Sequence, residues 1–595
     1  MAKGTLDVIP LEVAGSLSGL FLERVRRTPE AVAYRHYDDA LARWGNITWQ
    51  ESARQVAAIQ VALEKEGLVA GDRVAILLRN CPQWAFFEQA ALGLGLVVVP
   101  LYTNDRAENV SYVLQDAGVK LLLLEGDADL KKLDTIAAQL QGLVRLVSVE
   151  ACESEGKFSR LVTLTDWQEF DQTPALPTTL EIDALATLVY TSGTTGRPKG
   201  VMLSHHNILF NVFAVSELVP VYREDLMLSF LPLSHMFERT LGYYLPMMAG
   251  SQVAFARSVE KLADDLQSQH PTILISVPRI YERVYNKIQG QVATKSDFAK
   301  GLFNSAVDVG WRRFNEGVSG GLRWPILKAL VAKKILAKLG GRLRLAICGG
   351  APLSPQVAKV FIGLGLNLIQ GYGLTETGPV ISGNSENDND PASVGVALPG
   401  IEVKIGENDE LLSRSPSVML GYWNNVDATK AVIDDEGWLH TGDKARIENN
   451  HIYITGRLKE IIVMSNGEKV PPADMEMAIC LDPLVEQALV IGEGKPYLSV
   501  IVVLEPEVWK REAEAQGFAL QEASVFSEIK VRQWMLERIA DRLNDFPGYA
   551  KVRAVCLSTK AWTIEEGTMT PTMKLRREMI VAQNQANIDQ MYEGH

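Results

Sequence analysis

The N-terminal third of the chain alternates short unbroken apolar runs with longer stretches of mixed character. Residues 73–78 predict a strand, 83–94 a helix, 97–101 a strand, 108–117 a helix and 120–124 a strand. Strands that are apolar on both faces, separated by helical lengths, belong to a parallel sheet covered on both sides. The pattern repeats over 180–370, with strands expected at 184–189, 201–204, 227–231, 253–255, 272–276, 344–348 and 366–369. The fold class is therefore α/β, with two sheets in one large domain. From Val394 the pattern breaks into short β-like pieces (402–405, 411–414, 451–454) separated by turn clusters, which predicts a small β-barrel-like subdomain. After Arg457 a strand at 498–504 and a helix at 531–543 predict a small α+β domain. The expected division is 1–456 and 457–595, with a hinge near Lys459.

Composition narrows the class. At 595 residues the chain exceeds what one core fills. Its 47% hydrophobic and 22% charged residues are those of a globular protein, and a net charge of −13 argues against a nucleic-acid binder. Five scattered cysteines give neither a disulfide framework nor a zinc pattern. The first residues carry no signal-peptide pattern, and the longest apolar stretch, near 90–102, falls short of the roughly 20 residues a membrane span needs. A cytoplasmic enzyme is the expectation. One stretch departs from the acidic whole: residues 279–344 hold fourteen Lys/Arg against four Asp/Glu. Within it 324–336 reads as a basic amphipathic helix. It is either a solvated face or a contact for anionic lipid, at the inner membrane face, or for CoA phosphates.

Hydroxyls and glycines crowd the turn Tyr190-Thr191-Ser192-Gly193-Thr194-Thr195-Gly196-Arg197-Pro198-Lys199-Gly200. Glycine lets backbone N–H groups converge on an anion, hydroxyls add donors, and Lys199 adds a point charge suited to phosphate. The turn is not the Walker loop, because Pro198 rather than glycine precedes Lys199. Its plainer reading is a flexible surface loop. Gly349-Gly350-Ala351-Pro352-Leu353-Ser354 leaves a strand and enters a helix, with Ser354 the expected N-cap. In Gln370-Gly371-Tyr372-Gly373-Leu374-Thr375-Glu376-Thr377, glycines on both sides let the Tyr372 ring face a ligand. Thr375 supplies a hydroxyl, and Glu376 an oxygen suited to Mg²⁺. Asp443, in Gly437-Trp438-Leu439-His440-Thr441-Gly442-Asp443, can accept ribose hydroxyls, and Arg457 can bridge ribose and phosphate. Near the C-terminus, Thr570-Pro571-Thr572-Met573-Lys574-Leu575-Arg576-Arg577 adds a lysine that alone would read as solvent-exposed.

In this order the segments resemble the signature motifs of the adenylate-forming superfamily: acyl- and aryl-CoA ligases, luciferases and peptide-synthetase adenylation domains. The resemblance spans Tyr190 to Arg577 and leaves the N-terminal third without a specific signature. It implies that Thr191, Ser192, Gly193, Thr194, Thr195, Gly196 and Lys199 hold the phosphates of ATP. It implies that Gly350, Ala351 and Pro352 enclose adenine with Tyr372, that Thr375 meets the α-phosphate, and that Thr191 and Glu376 hold Mg²⁺. Asp443 and Arg457 would be nucleotide contacts, Lys459 the hinge of a mobile small domain, and Lys574 the adenylation lysine.

Three further features are similar to long-chain fatty-acid–CoA ligases: Leu231-Pro232-Leu233-Ser234-His235-Met236-Phe237-Glu238-Arg239, the long insert before Cys348, and Gly467-Glu468-Lys469-Val470-Pro471-Pro472. This similarity implies a fatty acid as substrate, coenzyme A as co-substrate and His235 beside the acyl site. Asn466 stands where many members have glycine; asparagine tolerates left-handed backbone, so the local geometry is expected to persist. The implied reaction is attack of a fatty carboxylate on the α-phosphorus of Mg·ATP, then attack of the CoA thiol on the acyl-adenylate. A fatty acyl-AMP ligase, or another acyl- or aryl-CoA ligase of the superfamily, is the alternative. A serine hydrolase is the rival from another class, since Gly317-Val318-Ser319-Gly320-Gly321 fits G-x-S-x-G. That motif needs a preceding strand, and here a helical-looking segment precedes it. A non-catalytic nucleotide-binding paralogue is opposed by the presence of Glu376, Asp443, Arg457 and Lys574. Nothing in the sequence sets the oligomeric state.

Overall fold

The apolar runs of the first third form the parallel strands Arg73–Leu77, Val97–Pro100 and Val119–Leu124. They do so in a computed structural model that describes residues 4–153, 158, 160–168, 170, 181–191, 197–518, 523–544, 546–548 and 550–593. Among the described residues the strands make two large sheets, of eight and thirteen strands, and two small ones. Membership of the large sheets crosses the chain order. Leu185–Thr191 joins the first sheet beside Val97–Pro100, where the Thr187 hydroxyl donates to the Val98 carbonyl at 2.6 Å. Val32–Asp38 instead joins Gln252–Phe255 in the second sheet.

The helix Pro82–Gly93 explains why its sequence shows little amphipathic pattern: nearly every residue of it is buried. It carries Glu88, which is fully enclosed and paired with the equally enclosed Arg239 at the end of the 231–239 segment. The Arg239 Nε donates to Glu88 at 2.7 Å and the Tyr244 hydroxyl at 2.8 Å. Removing either charge would strand the other without water.

The β-rich stretch does not close on itself. Glu402–Ile405, Glu410–Arg414, Leu439–Glu448 and His451–Arg457 extend the thirteen-stranded sheet antiparallel, and no closed barrel forms among the described residues. Beyond them Val485–Ile491, Leu498–Leu504 and Val552–Ser558 form a separate three-stranded sheet. The helices Pro472–Cys480, Pro506–Gln516 and Ile529–Arg542 cover it, enclosing a core of their own. This unit rests on the rest of the chain through Leu481, which packs into the apolar cluster around Tyr281 and Tyr285. The Arg279 guanidinium also donates to the Glu486 carbonyl at 2.9 Å.

The basic insert is helical. Pro278–Ala293 and Asp297–Asn315 precede a helical run from Arg323 whose middle, Lys328–Ala332, widens into a π-helix. The Ser319 segment sits in the loop leaving Asp297–Asn315, with no strand before it, so it is no nucleophile elbow. Helix Asp297–Asn315 lies against Pro355–Gly363 at a glycine contact: a Cβ on Gly310 would fall 1.8 Å from the Gly363 carbonyl oxygen. Gly310→Ala should therefore force the helices apart and cost about 1–3 kcal/mol despite its better helix propensity. Differential scanning fluorimetry checks this; an unchanged or raised melting temperature would contradict the close packing.

Candidate active site

The hydroxyl-rich turn joins two antiparallel strands, Leu185–Thr191 and Lys199–Ser204, whose register sets Thr191 opposite Lys199. The turn's two ends are thus fixed, while Ser192, Gly193, Thr194, Thr195 and Gly196 lie outside the described residues. Tyr190 anchors one strand by donating its hydroxyl to Asp116 at 2.5 Å. Lys199 is exposed, with its ammonium 4.8 Å from the centre of the Tyr422 ring.

A cleft of about 1380 Å³ brings together the other predicted residues. Its walls include Thr191, His235, Gly350, Ala351, Pro352, Tyr372, Thr375, Glu376, Asp443, Arg457, Lys459 and Lys574. The centre is Asp443. The pairing of Leu439–Glu448 with His451–Arg457 sets Asp443 directly opposite Arg457, whose Nε donates to Oδ1 at 2.9 Å. From the strand Leu368–Gly373, where the same sheet passes from parallel to antiparallel pairing, the Tyr372 hydroxyl donates to Oδ2 at 2.6 Å. Burial, then this carboxylate, pushes the Tyr372 phenol far above its ordinary range.

Three local expectations change. The glycines flanking Tyr372 do not serve mainly to free its ring. A Cβ on Gly373 would lie 1.9 Å from the Pro379 carbonyl oxygen, so glycine is required for the backbone to turn back on itself. Ser354 does precede the helix Pro355–Gly363, yet its side chain makes no cap bond. Asn466 is not in the left-handed region; Gly467 takes that conformation, at φ +84°, while Asn466 accepts the Glu468 N–H at 3.0 Å.

Lys574 is delivered by a tight turn. The Thr570 N–H donates to the Lys574 carbonyl at 2.8 Å, the Lys574 N–H returns to the Thr570 hydroxyl at 3.1 Å, and Met573 between them is left-handed. The side chain is open to water in the cleft but ringed by protein. Loss of bulk solvent, then the Arg457 charge, lowers its pKa, opposed by Asp443, Glu460 and Glu376. His235 caps the short helix Met236–Glu238, with Nδ1 accepting the Phe237 N–H at 3.2 Å. Burial first, and then Lys574, pushes its pKa down to about 4. The folded protein thus favours the neutral ring. The stability this contributes is complete above the ordinary value of 6.5 and is lost as pH falls towards about 4.

Tyr422 was not singled out by any sequence motif. It sits in the two-residue strand Gly421–Tyr422, paired with Val201–Met202 of the strand that begins at Lys199, and its hydroxyl donates to Glu376 Oε1 at 2.8 Å. It therefore links Lys199, over its ring, to Glu376. Among the described residues Glu376 Oε2 has no hydrogen bond, and no cluster of three metal-ligating side chains exists. Mg²⁺ is commonly held by one or two protein oxygens plus substrate phosphates, so a single placed carboxylate in the cleft that Thr191 also lines fits that ion.

The chain belongs to the AMP-binding enzyme family: residues 21–423 match that family and residues 459–595 match its C-terminal domain. It is an adenylate-forming, ATP-using protein. Among its relatives, long-chain-fatty-acid–CoA ligase FadD15 of Mycobacterium tuberculosis is 31% identical over 592 residues, which cover 97% of each chain. Human long-chain-fatty-acid–CoA ligase ACSBG1 is 29% identical, over 93% of this chain and 82% of its own. The Arabidopsis thaliana long-chain-fatty-acid–[acyl-carrier-protein] ligase AEE15 is 28% identical, over 92% and 82%. The fold is shared with the adenylation domain of a Mycobacterium chelonae carboxylate reductase, at TM-score 0.78 and 21% identity, over 98% of this chain and 94% of that one.

A hydrogen bond to a charged group contributes about 1.5–3 kcal/mol, so Tyr422→Phe should loosen Glu376. In ATP–pyrophosphate exchange it should raise the Mg²⁺ concentration for half-maximal rate roughly tenfold. An unchanged Mg²⁺ dependence would contradict the placement of Glu376 by Tyr422.

Proposed function

We propose that the chain activates a medium- to long-chain fatty acid with ATP, releasing pyrophosphate, and passes the acyl group from the acyl-adenylate to coenzyme A, releasing AMP. The observation that carries this reading is the convergence of Lys574 on the Tyr372–Asp443–Arg457 cluster in a cleft that also holds neutral His235. An ionised carboxylate has four lone-pair sites, and Tyr372 and Arg457 occupy two of those on Asp443, which leaves two for ribose hydroxyls. Adenine would lie between the Gly350-Ala351-Pro352 backbone and the Tyr372 ring. The phosphates would meet the 191–196 turn, Lys199 and Thr375. Thr191 and Glu376 would hold Mg²⁺, which when bound neutralises phosphate charge.

The carboxylate substrate enters a region of like charge, and Lys574 is the cation placed to offset both anions as they approach. His235, uncharged, borders the acyl path without trapping the carboxylate as an ion pair. Beside it the cleft wall is apolar, through Val215, Leu218, Phe237 and Leu241, as a hydrocarbon chain requires. We assign 457–595 as a unit that turns about Lys459 between the half-reactions, removing Lys574 once the adenylate has formed. The cationic stretch 279–344 is assigned to peripheral contact with an anionic membrane face; among the described residues no helix is long and apolar enough to cross a membrane.

Burial of each methylene contributes about 0.8 kcal/mol, roughly fourfold in kcat/KM. Across a panel of acids assayed for AMP release with coenzyme A present, long-chain acids should outrun acetate and benzoate by orders of magnitude. Equal turnover of acetate or benzoate would overturn the fatty-acid assignment. Adenylate formation without CoA-dependent AMP release would point to another acyl acceptor.

A further inference from the structure

The basic stretch carries an apolar tip as well as charge. Phe314, Val318, Leu322, Ile326 and Leu330 recur every four residues and are all exposed; Leu322 is 87% exposed, Ile326 58% and Leu330 48%. They lie on the end of helix Asp297–Asn315, the loop after it, and the helical run that starts at Arg323. The loop doubles back through Gly317, Gly320 and Gly321, all left-handed, at φ +66°, +70° and +54°. Its base is fixed: Trp324 and Leu327 are buried, and Arg313 lies 5.1 Å from the centre of the Trp324 ring. The apolar side chains therefore project from a built support. Exposed cations share the stretch with them, namely Arg323, Lys328, Lys333, Lys334 and Lys338, while Arg312 pairs with Glu316 at 3.3 Å.

We propose that this tip, with Leu322 outermost, inserts into the headgroup–acyl boundary of an anionic bilayer while the flanking cations engage lipid phosphates. An apolar ridge edged by Lys and Arg is the surface chemistry of interfacial insertion, and anionic headgroups attract such cations within a Debye length. A second copy of the chain is the poorer occupant, because it would bring one strongly positive stretch against another. The protein as a whole is acidic, at −13, so the bilayer would attract this face and repel the rest, which fixes an orientation. The inference builds on the reading of 279–344 as a membrane contact and adds which residues enter the lipid.

Full-length protein is sedimented with phosphatidylcholine vesicles and with equimolar phosphatidylcholine–phosphatidylglycerol vesicles at low and high salt. The parent should bind the anionic vesicles and release with salt. Leu322→Ser/Ile326→Ser/Leu330→Ser, with every cation retained, should partition at least tenfold more weakly at low salt. Its melting temperature and its ATP–pyrophosphate exchange should equal the parent's. Lys328→Gln/Lys333→Gln/Lys334→Gln/Lys338→Gln should lose the salt-sensitive part of binding. A single Leu322→Trp variant should gain fluorescence that brominated phosphatidylglycerol quenches. Absence of parent binding would overturn the membrane contact itself. Parent-like binding by the triple Ser variant, or no added quenching in Leu322→Trp, would overturn insertion while leaving surface adsorption. A dimeric parent made monomeric by the Ser substitutions would assign the ridge to a second copy and overturn the proposal. None of these readouts depends on which acid the protein activates.

Discussion

The carboxylate of Asp443 is the interaction on which the cleft depends. It is held by Tyr372 from the strand Leu368–Gly373, where the large sheet passes from parallel to antiparallel pairing, and by Arg457 from the last antiparallel strand before the C-terminal unit. Both contacts are charge-assisted, and the register of two paired strands sets Asp443 opposite Arg457. A slip of one residue would turn Asp443 to the opposite face of the sheet and break both at once. The antiparallel extension therefore matters for more than its own packing. It carries the parallel core's geometry to the point where the C-terminal unit begins.

Charge in the cleft is mixed, and that mixture suits two anionic reactants. Lys574 and Arg457 stand among Asp443, Glu460 and Glu376, and the lowered pKa of Lys574 records first its loss of bulk solvent and then the Arg457 charge. A phosphate in that space would meet cations already in position, so little reorganisation would accompany charge development. The outer surface segregates its charge instead: a positive insert with an apolar ridge rises from an acidic protein.

Much of this was legible in the sequence, for physical reasons that also mark the boundary of what was not. Strands buried on both faces must be continuously apolar, so Arg73–Leu77, Ile273–Ser276 and Leu345–Cys348 declared themselves. Sheet membership is a matter of pairing between distant segments, which no local period encodes; hence Val32–Asp38 lies in the second sheet and Leu185–Thr191 in the first. Asp443 and Arg457 could be named because their chemistry is carried by side-chain type, whereas Lys574, which alone would read as solvent-exposed, was named only through the resemblance of its motif. Tyr422 was invisible because an aromatic after glycine has no distinctive pattern and acts only through Glu376. Gly373 and Asn466 were recognised, but their roles depend on backbone neighbours, Pro379 and Gly467, that only the fold reveals.

The central claim is that Lys574, placed in the cleft as found here, serves the adenylation step alone. Removing one preorganised charge of this kind costs about 2.7–4 kcal/mol, roughly 10²–10³ in rate. Lys574→Ala should slow ATP–pyrophosphate exchange by about that factor. Transfer of the acyl group to coenzyme A from a supplied acyl-adenylate should proceed at nearly the parent's rate. Equal loss in both half-reactions would make Lys574 a general nucleotide contact and contradict the account.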